Sequence, residues 1–170
     1  TNSQIADIIT FGPQIVDASL GLSAGAWKLM ASATPGTANA AAAVLGAASS
    51  LRINEWMADP LSGDDWFELY NTNSLPVDLS SLFLTDDPSI AGMTNSQLPA
   101  LSFVAGRGWV QFQADNKITS GHVNFSLDKN GETLRIYGTN LALIDSVDFG
   151  LQSAGVSQGR LLDGTSTVVS

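Results

Sequence analysis

The chain has 170 residues, which is enough for one domain with its own hydrophobic core, and its formal net charge at pH 7 is −9. Sixteen acidic residues against seven basic ones argue against a nucleic-acid-binding protein, because such proteins neutralise phosphates with Lys and Arg. The chain has no cysteine, which excludes a disulfide framework, a thiol nucleophile and a thiolate zinc site. No apolar run reaches the ~18 residues of a membrane-spanning helix.

The N-terminal third of the chain divides into a short piece and a linker. Residues 34–50 read TPGTANAAAAVLGAASS, a run of small residues that opens with a Pro-Gly turn signal. We therefore predict an N-terminal piece over residues 1–36, an alanine-rich linker over residues 37–50 and the main domain over residues 51–170. No secretory signal is visible, and we expect any signal peptide to precede this sequence.

From Leu51 onward the sequence predicts short strands. The stretches LRINEW, WFELY, GWVQFQ, HVNFSL and TLRIY each alternate apolar and polar residues, the two-residue period of half-buried strands. The Asn-Gly pair in KNGE predicts a hairpin that pairs residues 123–127 with residues 133–137, and GTN predicts a turn into LALIDSVDF. Short strands with frequent turns and no long amphipathic helix indicate an all-β, antiparallel β-sandwich.

The same alternation assigns the core. It places Ile53 on one face of its strand, with Asn54 and Trp56 on the other face. The predicted core consists of Ile53, Phe67, Leu69, Leu82, Leu84, Phe103, Val110, Phe112, Val123, Phe125, Leu127, Leu134, Ile136, Val147 and Phe149.

The two ends of the chain are related by an internal repeat. A shift of 138 residues aligns DIITFGPQIVDASLG with DSVDFGLQSAGVSQG, and the six identical pairs include Asp7 with Asp145 and Gly12 with Gly150. Chance would give about one identity at ordinary residue frequencies. The start of the chain therefore has the sequence of the end of a preceding copy of the same domain.

These motifs also carry a family resemblance. INEWMADP, DWFELYN, VDLSSLFLTDD, LDKNGETLRIYG, IDSVDFGLQ and QGRLLDG, in this order over residues 51 to about 164, resemble the lamin tail domain in its bacterial exported form. The N-terminal piece resembles the end of a preceding copy. Two departures are Leu22, which stands where the second copy has Arg160, and the absence of a closing TPG after the last strand.

The resemblance implies an immunoglobulin-like fold and an accessory role, and it supplies no catalytic residue. Four polar residues match the family's NE and EL-N positions, namely Asn54, Glu55, Glu68 and Asn71. They are candidate binding residues, and the alternative is that they satisfy backbone groups at strand ends. A paired-carboxylate acid and base is not favoured for Glu55 and Glu68, because the sequence supplies no substrate-positioning residues beside them.

Two other kinds of ligand site remain open. Calcium accepts oxygen ligands from several loops, and the candidate ligands are Asp59, Asp64, Asp65, Asp86 and Asp87. The alternative is that these are solvated turn acids. Exposed aromatic side chains can stack on sugars, and the candidates are Trp56, Trp66, Trp109 and Phe112, which could equally be core residues.

The sequence thus predicts a noncatalytic structural or interaction module of a repeat-containing bacterial protein, secreted or at the cell surface. The expected partner is a protein or a cell-surface polysaccharide. The alternative is a carbohydrate- or calcium-binding accessory module of a secreted enzyme. We expect no cofactor apart from calcium in that alternative.

The N-terminal piece needs a surface on which to pack. Residues 5–31 carry several apolar side chains but lack a sandwich of their own. We expect them to pack on the edge of a sandwich, either on residues 51–170 of the same chain or on a neighbouring chain in a strand-swapped homodimer.

Overall fold

The computed structural model describes residues 4–170, so the first three residues of the predicted N-terminal piece lie outside it. The described chain is almost entirely β-structure, with two short 3₁₀ turns at Ala48–Ser50 and Gly92–Thr94. Two larger sheets pack face to face over one hydrophobic core, and the predicted all-β sandwich is confirmed. None of the helical segments within residues 4–170 is long and apolar enough to cross a membrane.

The strands are short, as the spacing of the turn residues predicts. In chain order they are β1 Leu20–Ser23, β2 Ala26–Leu29, β3 Leu51–Met57, β4 Asp65–Asn71, β5 Val77–Asp78, β6 Phe83–Thr85, β7 Ser96–Gln97, β8 Phe103–Val104, β9 Trp109–Ala114, β10 His122–Val123, β11 Glu132–Tyr137, β12 Leu143–Phe149, β13 Gln158–Arg160 and β14 Val168–Val169.

The strands form two principal sheets and two small ones. The larger sheet has the order β10-β9-β4-β3-β13-β14, and the facing sheet has the order β12-β11-β6-β7. Strands β1 and β2 form a separate hairpin, and β5 pairs with β8. All of these pairings are antiparallel except that of β9 with β10.

The core between the two sheets is aromatic at its centre. The ring of Phe67 lies 5.7 Å from that of Phe112 and 6.0 Å from that of Phe125, and Trp56 meets Phe149 of the facing sheet at 5.8 Å. Fourteen of the fifteen predicted core residues are buried, and Val110 is half-buried against them. The prediction omitted several buried residues, namely Leu51, Trp56, Val77, Leu79, Leu98 and Val104.

Trp56 corrects the predicted face of β3. Simple alternation places it opposite Ile53, yet both side chains are buried in the core, at 0% and 1% exposure. The pairing of β3 with β4 shifts by one residue between Ile53 and Glu55, so a β-bulge reverses the alternation at this point. The polar residues at the bulge then lie on the outer side of the sheet, where they form part of the site described below.

The predicted Asn-Gly hairpin is wrong. Strand β11 pairs with β12 and β6, and residues 124–127 form no strand. The turn at Asn130 is instead held by Asp128, whose carboxylate accepts a hydrogen bond from the Asn130 N–H at 2.8 Å. This turn carries the chain from one sheet to the other and does not fold it back within one sheet. The second predicted pairing, through GTN, is present as β11 with β12.

The N-terminal piece and the linker each contact the main domain of the same chain. Residues 12–14 lie along residues 100–103, and the Gly46 N–H donates to the Pro76 carbonyl at 2.8 Å. Met30 pairs with Ala42 across an isolated bridge, and Leu29 and Met30 are both buried.

The expected packing of residues 5–31 on a sandwich edge holds only in part. The hairpin of β1 and β2 joins neither principal sheet, and Ile5, Ile8 and Trp27 remain exposed. The contacts described here lie within a single chain, and the swapped homodimer stays a prediction.

Phe125 tests the aromatic core. Because its side chain is only 3% exposed and stacks on Phe67, Phe125→Ala should lower the free energy of unfolding by ~3–5 kcal/mol, measured by chemical denaturation. The control is Ile118→Ala, at a side chain that is 84% exposed, with an expected change of about 0.5 kcal/mol or less. A loss below about 1 kcal/mol for Phe125→Ala would contradict the assigned core.

Candidate functional site

Three of the predicted binding residues line a groove on the outer face of the larger sheet. It has a volume of about 360 Å³ and lies between the paired strands β3 and β4 and the hairpin of β13 and β14. Its polar wall is formed by Asn54, Glu55, Glu68, Ser157 and Asp163, and Trp109 forms its aromatic wall. We call it the acidic groove. Three of the four predicted binding residues therefore meet in one site.

Asn54 organises the floor of the acidic groove. Its Nδ2 donates to Glu68 Oε1 at 3.0 Å and to Asp163 Oδ1 at 3.1 Å, and its Oδ1 accepts the Gly164 N–H at 2.9 Å. The side chain is 4% exposed, so its hydrogen-bonding capacity is spent inside the protein. Asn54 thus joins the loop after β13 to the two central strands and aligns two carboxylates.

The β3 bulge that places Asn54 and Glu55 on the outer side of the sheet is held by an ion pair. Arg160 Nη2 contacts Asp145 Oδ2 at 3.0 Å, and both side chains are largely buried. The same Arg160 donates through Nε to the Ile53 carbonyl at 2.7 Å, while Asp145 Oδ2 accepts the Ile53 N–H at 2.9 Å. Both backbone groups of Ile53 are therefore satisfied by side chains, as the interrupted ladder requires. We call this arrangement the Arg160–Asp145 clamp.

Within residues 4–170 the carboxylates of the acidic groove form no salt bridge, although Arg160 also lines the groove. Burial raises the pKa of Glu68, and the charges of Glu55 and Asp163 raise it further, against the lowering effect of the Asn54 hydrogen bond. Glu55 Oε1 accepts a hydrogen bond from Ser157 Oγ at 2.6 Å. Among residues 4–170, no salt bridge involves any of these three acids, and the guanidinium of Arg160 is directed at Asp145.

Asn71, the fourth predicted binding residue, lies outside the acidic groove. Its side chain is fully buried at the end of β4, where Nδ2 donates to the carbonyls of Leu75 and Ala105 at 2.8 and 2.9 Å. Its Oδ1 accepts the Asn73 N–H at 2.9 Å. These hydrogen bonds satisfy backbone groups of the neighbouring loops. This structural role is the alternative to ligand binding that the sequence left open.

The five predicted calcium ligands do not form one site. Asp59, Asp64 and Asp65 border a shallow depression at the turn between β3 and β4, whereas Asp86 and Asp87 follow β6 and do not line it. Within the described part of the chain, no three His, Cys, Asp or Glu side chains are arranged to hold a metal ion.

Two of these acids already have partners. Asp65 Oδ2 accepts the Leu127 N–H at 3.0 Å, and Asp59 pairs with Lys129 at 3.5 Å.

The four predicted stacking residues also separate. Trp56 and Phe112 are fully buried in the core, and Trp66 is half-buried. Trp109 alone of the four is exposed, at 51%; its ring lies 5.1 Å from that of Tyr70, and the residue lines the acidic groove.

Sequence reasoning missed Asp145, Arg160, Ser157 and Asp163 as parts of this site. The repeat alignment pairs Asp145 with an identical residue, Asp7, and it pairs Arg160 with a different residue, Leu22. The alignment therefore drew attention to both positions. Their meeting at the bulge was not visible, because it joins residues more than ninety positions from Ile53.

A separate acidic cluster surrounds Glu132, at the start of β11. Burial raises the pKa of Glu132 to about 7, and the charges of Asp86, Asp128 and Asp65 add to the rise. The Asp128 N–H donates to Glu132 Oε2 at 3.1 Å and acts in the opposite direction. The folded protein therefore binds this proton more tightly than the unfolded chain does.

The clamp predicts a large effect from a small change. Asp145→Asn should lower the free energy of unfolding by about 3 kcal/mol, because it leaves the buried Arg160 guanidinium without a counter-charge. The matched control is Asp7→Asn, at the repeat-equivalent position, where within residues 4–170 the exposed carboxylate accepts a hydrogen bond only from the next N–H. Its expected effect is about 0.5 kcal/mol or less. Equal losses in chemical denaturation of the two variants would contradict the role of the clamp.

Glu132 predicts a pH dependence of stability. Because its pKa is raised on folding, its contribution is fully present below the unfolded value of 4.5 and is lost as pH rises through about 7. The difference in unfolding free energy between the wild type and Glu132→Gln should therefore shift in favour of the variant between about pH 4.5 and 7. A difference that stays constant over this range would show that the proton is not taken up on folding.

No family model matches the sequence, and no curated protein or solved structure is significantly similar to the chain. The resemblance to the lamin tail domain therefore stays a prediction.

Proposed function

We propose that the chain is a noncatalytic interaction module of the lamin tail type, which binds a basic segment of a partner protein in its acidic groove. The observation that carries the proposal is that Glu55, Glu68 and Asp163 line one groove without a basic partner among residues 4–170. A Lys or Arg side chain of a partner would supply the missing charge.

The electrostatics of Glu68 favour a cationic ligand. Its raised pKa reflects burial and the neighbouring carboxylates, and both effects make a nearby positive charge favourable. Trp109 is half exposed and lines the same groove as these acids, and an aromatic face attracts Lys and Arg side chains. Charge and aromatic surface therefore select the same kind of ligand.

The noncatalytic part of the proposal rests on how the carboxylates are used. Glu68 is bonded to Asn54 and Glu55 is bonded to Ser157, so each acid has a fixed partner within the protein. A glycosidase would need one carboxylic acid and one carboxylate flanking a bound sugar, with further groups to position it. The aligned repeat supports a chain built from several copies, and an exported bacterial parent protein is part of the proposal.

A second candidate ligand is a neutral oligosaccharide. The observation that favours it is the exposed face of Trp109 beside carboxylate and hydroxyl groups, which can stack on a sugar ring and bond its hydroxyls. Salt separates the two candidates, because screening weakens cation binding and leaves stacking on a neutral sugar nearly unchanged. Calcium at Asp59, Asp64 and Asp65 is a further candidate for the same titrations.

The test is titration calorimetry with tetra-arginine and tetra-lysine peptides, with a neutral oligosaccharide and with Ca²⁺. We expect the basic peptides to bind, and Glu68→Gln and Trp109→Ala each to weaken binding about fivefold, since each contact contributes on the order of 1 kcal/mol. The matched control is Asp64→Asn, which removes the same charge from an exposed turn outside the groove.

Two results would decide against the proposal. Equal weakening by Glu68→Gln and Asp64→Asn would show that net charge alone attracts the peptides. Binding of the oligosaccharide but of neither peptide, with the loss of binding in Trp109→Ala, would favour the second candidate.

A further inference from the structure

Residues 11–14 of the N-terminal piece occupy a defined seat on the main domain. The Gly12 N–H donates to the Ala100 carbonyl at 3.2 Å, and the Pro13 carbonyl accepts the Phe103 N–H at 2.9 Å. Gln14 Nε2 donates to the Leu101 carbonyl. The packing is close, because a Cβ on Gly12 would lie 2.0 Å from Ser102 Oγ. We call residues 99–103 the acceptor segment.

The repeat places an equivalent segment near the other end of the chain. Gly150, Leu151 and Gln152 align with Gly12, Pro13 and Gln14. The local structure also matches, because Gln152 Nε2 bonds the Gly150 carbonyl at 3.2 Å, as Gln14 Nε2 bonds the Gly12 carbonyl at 3.0 Å. We call residues 149–152 the donor segment.

Only the middle of the donor segment, Gly150 and Leu151, is left undocked within residues 4–170, because Phe149 is buried in β12 and the Gln152 N–H donates to the Lys129 carbonyl at 2.7 Å. Leu151 is 72% exposed, and neither the Gly150 N–H nor the Leu151 carbonyl makes a hydrogen bond within residues 4–170. A Cβ on Gly150 would meet no atom within 4 Å, in contrast to the close contact at Gly12. The Gly-x-Gln sequence is therefore present twice, and its first two residues are docked on the main domain at Gly12 and Pro13 but open at Gly150 and Leu151.

We propose that the donor segment of one copy of this domain docks on the acceptor segment of a second copy, with Gly150 and Leu151 making the backbone contacts that Gly12 and Pro13 make in this chain. The arrangement is head-to-tail, because donor and acceptor are different surfaces of one domain. In this chain the N-terminal piece covers the acceptor segment, so a second copy can dock there only when residues 11–14 leave it. This inference does not depend on the ligand of the acidic groove.

The two segments differ in a way that limits which contacts can be shared. Gln152 is buried in its own domain, so its amide is not free to reach another copy as that of Gln14 reaches Leu101. Docking of the donor segment thus relies on the Gly150 N–H, the Leu151 carbonyl and the Leu151 side chain. Such a contact is small, and its detection requires a method that captures weak association.

The first step of the test opens the acceptor segment. Gly12→Val should displace residues 11–14, because its side chain would collide with Ser102. The chain has no cysteine, so a thiol introduced as Ser102→Cys reports on the seat alone. We expect a thiol reagent to label S102C at least tenfold faster in the G12V background than with Gly12 present. Gly150→Val is the matched control and should leave the labelling rate unchanged, since Gly150 has open space around it.

The second step captures docking as a disulfide between two chains. A G12V/S102C acceptor chain is mixed with a G150C donor chain under mild oxidation. The Cβ that Gly12 would carry lies 3.2 Å from Ser102 Cβ, close to the spacing of a disulfide, so the equivalent donor position is suited to cross-linking. We expect the heterodimer to form at least tenfold faster than with an S126C donor, whose thiol lies at an exposed site outside the donor segment. Leu151→Asp in the G150C donor should slow it.

Each alternative result overturns the proposal. Equal rates for G150C and S126C donors would show that the thiols meet by random collision. An S102C thiol that stays unlabelled in the G12V background would show that residues 11–14 do not cover the acceptor segment. A third experiment uses an S102C acceptor in which Gly12 is unchanged. If this acceptor cross-links faster to a G12C donor than to a G150C donor, the acceptor segment binds residues 11–14 of another chain, as in a swapped dimer.

Discussion

The ion pair between Arg160 and Asp145 fixes the point at which the two sheets and the bulge of β3 meet. It joins β13 of the larger sheet to β12 of the facing sheet, and it bonds both backbone groups of Ile53. Breaking such a pair is costly because a buried charge is left without a partner. The bulge it holds turns Trp56 into the core and directs Asn54 and Glu55 outward, so the core and the acidic groove depend on the same contact.

Much of the core could be predicted from the sequence because it obeys a local rule. Phe67, Leu69, Leu134 and Ile136 alternate with polar residues along regular strands, and each is buried. Trp56 could not be assigned in this way, because one extra residue in β3 reverses the alternation, and nothing adjacent in the sequence marks that residue. The hairpin predicted from the Asn-Gly pair was wrong for a related reason. The turn itself could be recognised from the sequence, but contacts with distant residues decide that the strand after it, β11, joins the facing sheet.

The candidate site was predictable to a similar extent. Asn54, Glu55 and Glu68 were singled out, and they meet in the acidic groove because β3 and β4 pair in the register that places Glu55 opposite Glu68. Asp163 and Ser157 come from the C-terminal part of the chain and could be placed there only once β13 was known to pair with β3. The predicted calcium ligands did not converge because the turn that carries Asp59, Asp64 and Asp65 and the loop that carries Asp86 and Asp87 do not line the same depression.

The N-terminal piece differs from the rest of the chain in how it is held. The buried hydrophobic cluster consists of residues between Leu51 and Phe149, and Asp7 has no arginine to pair with where Asp145 has Arg160. Under a pulling force applied to the ends of the chain, residues 4–46 are therefore expected to detach before the sandwich yields. Fully extended, these residues add roughly 140 Å of length at about 3.3 Å each. In a series of such domains, residues 4–46 would extend at low force while the sandwiches stay folded. A force-extension trace would show this as a lengthening that precedes the unfolding of any sandwich.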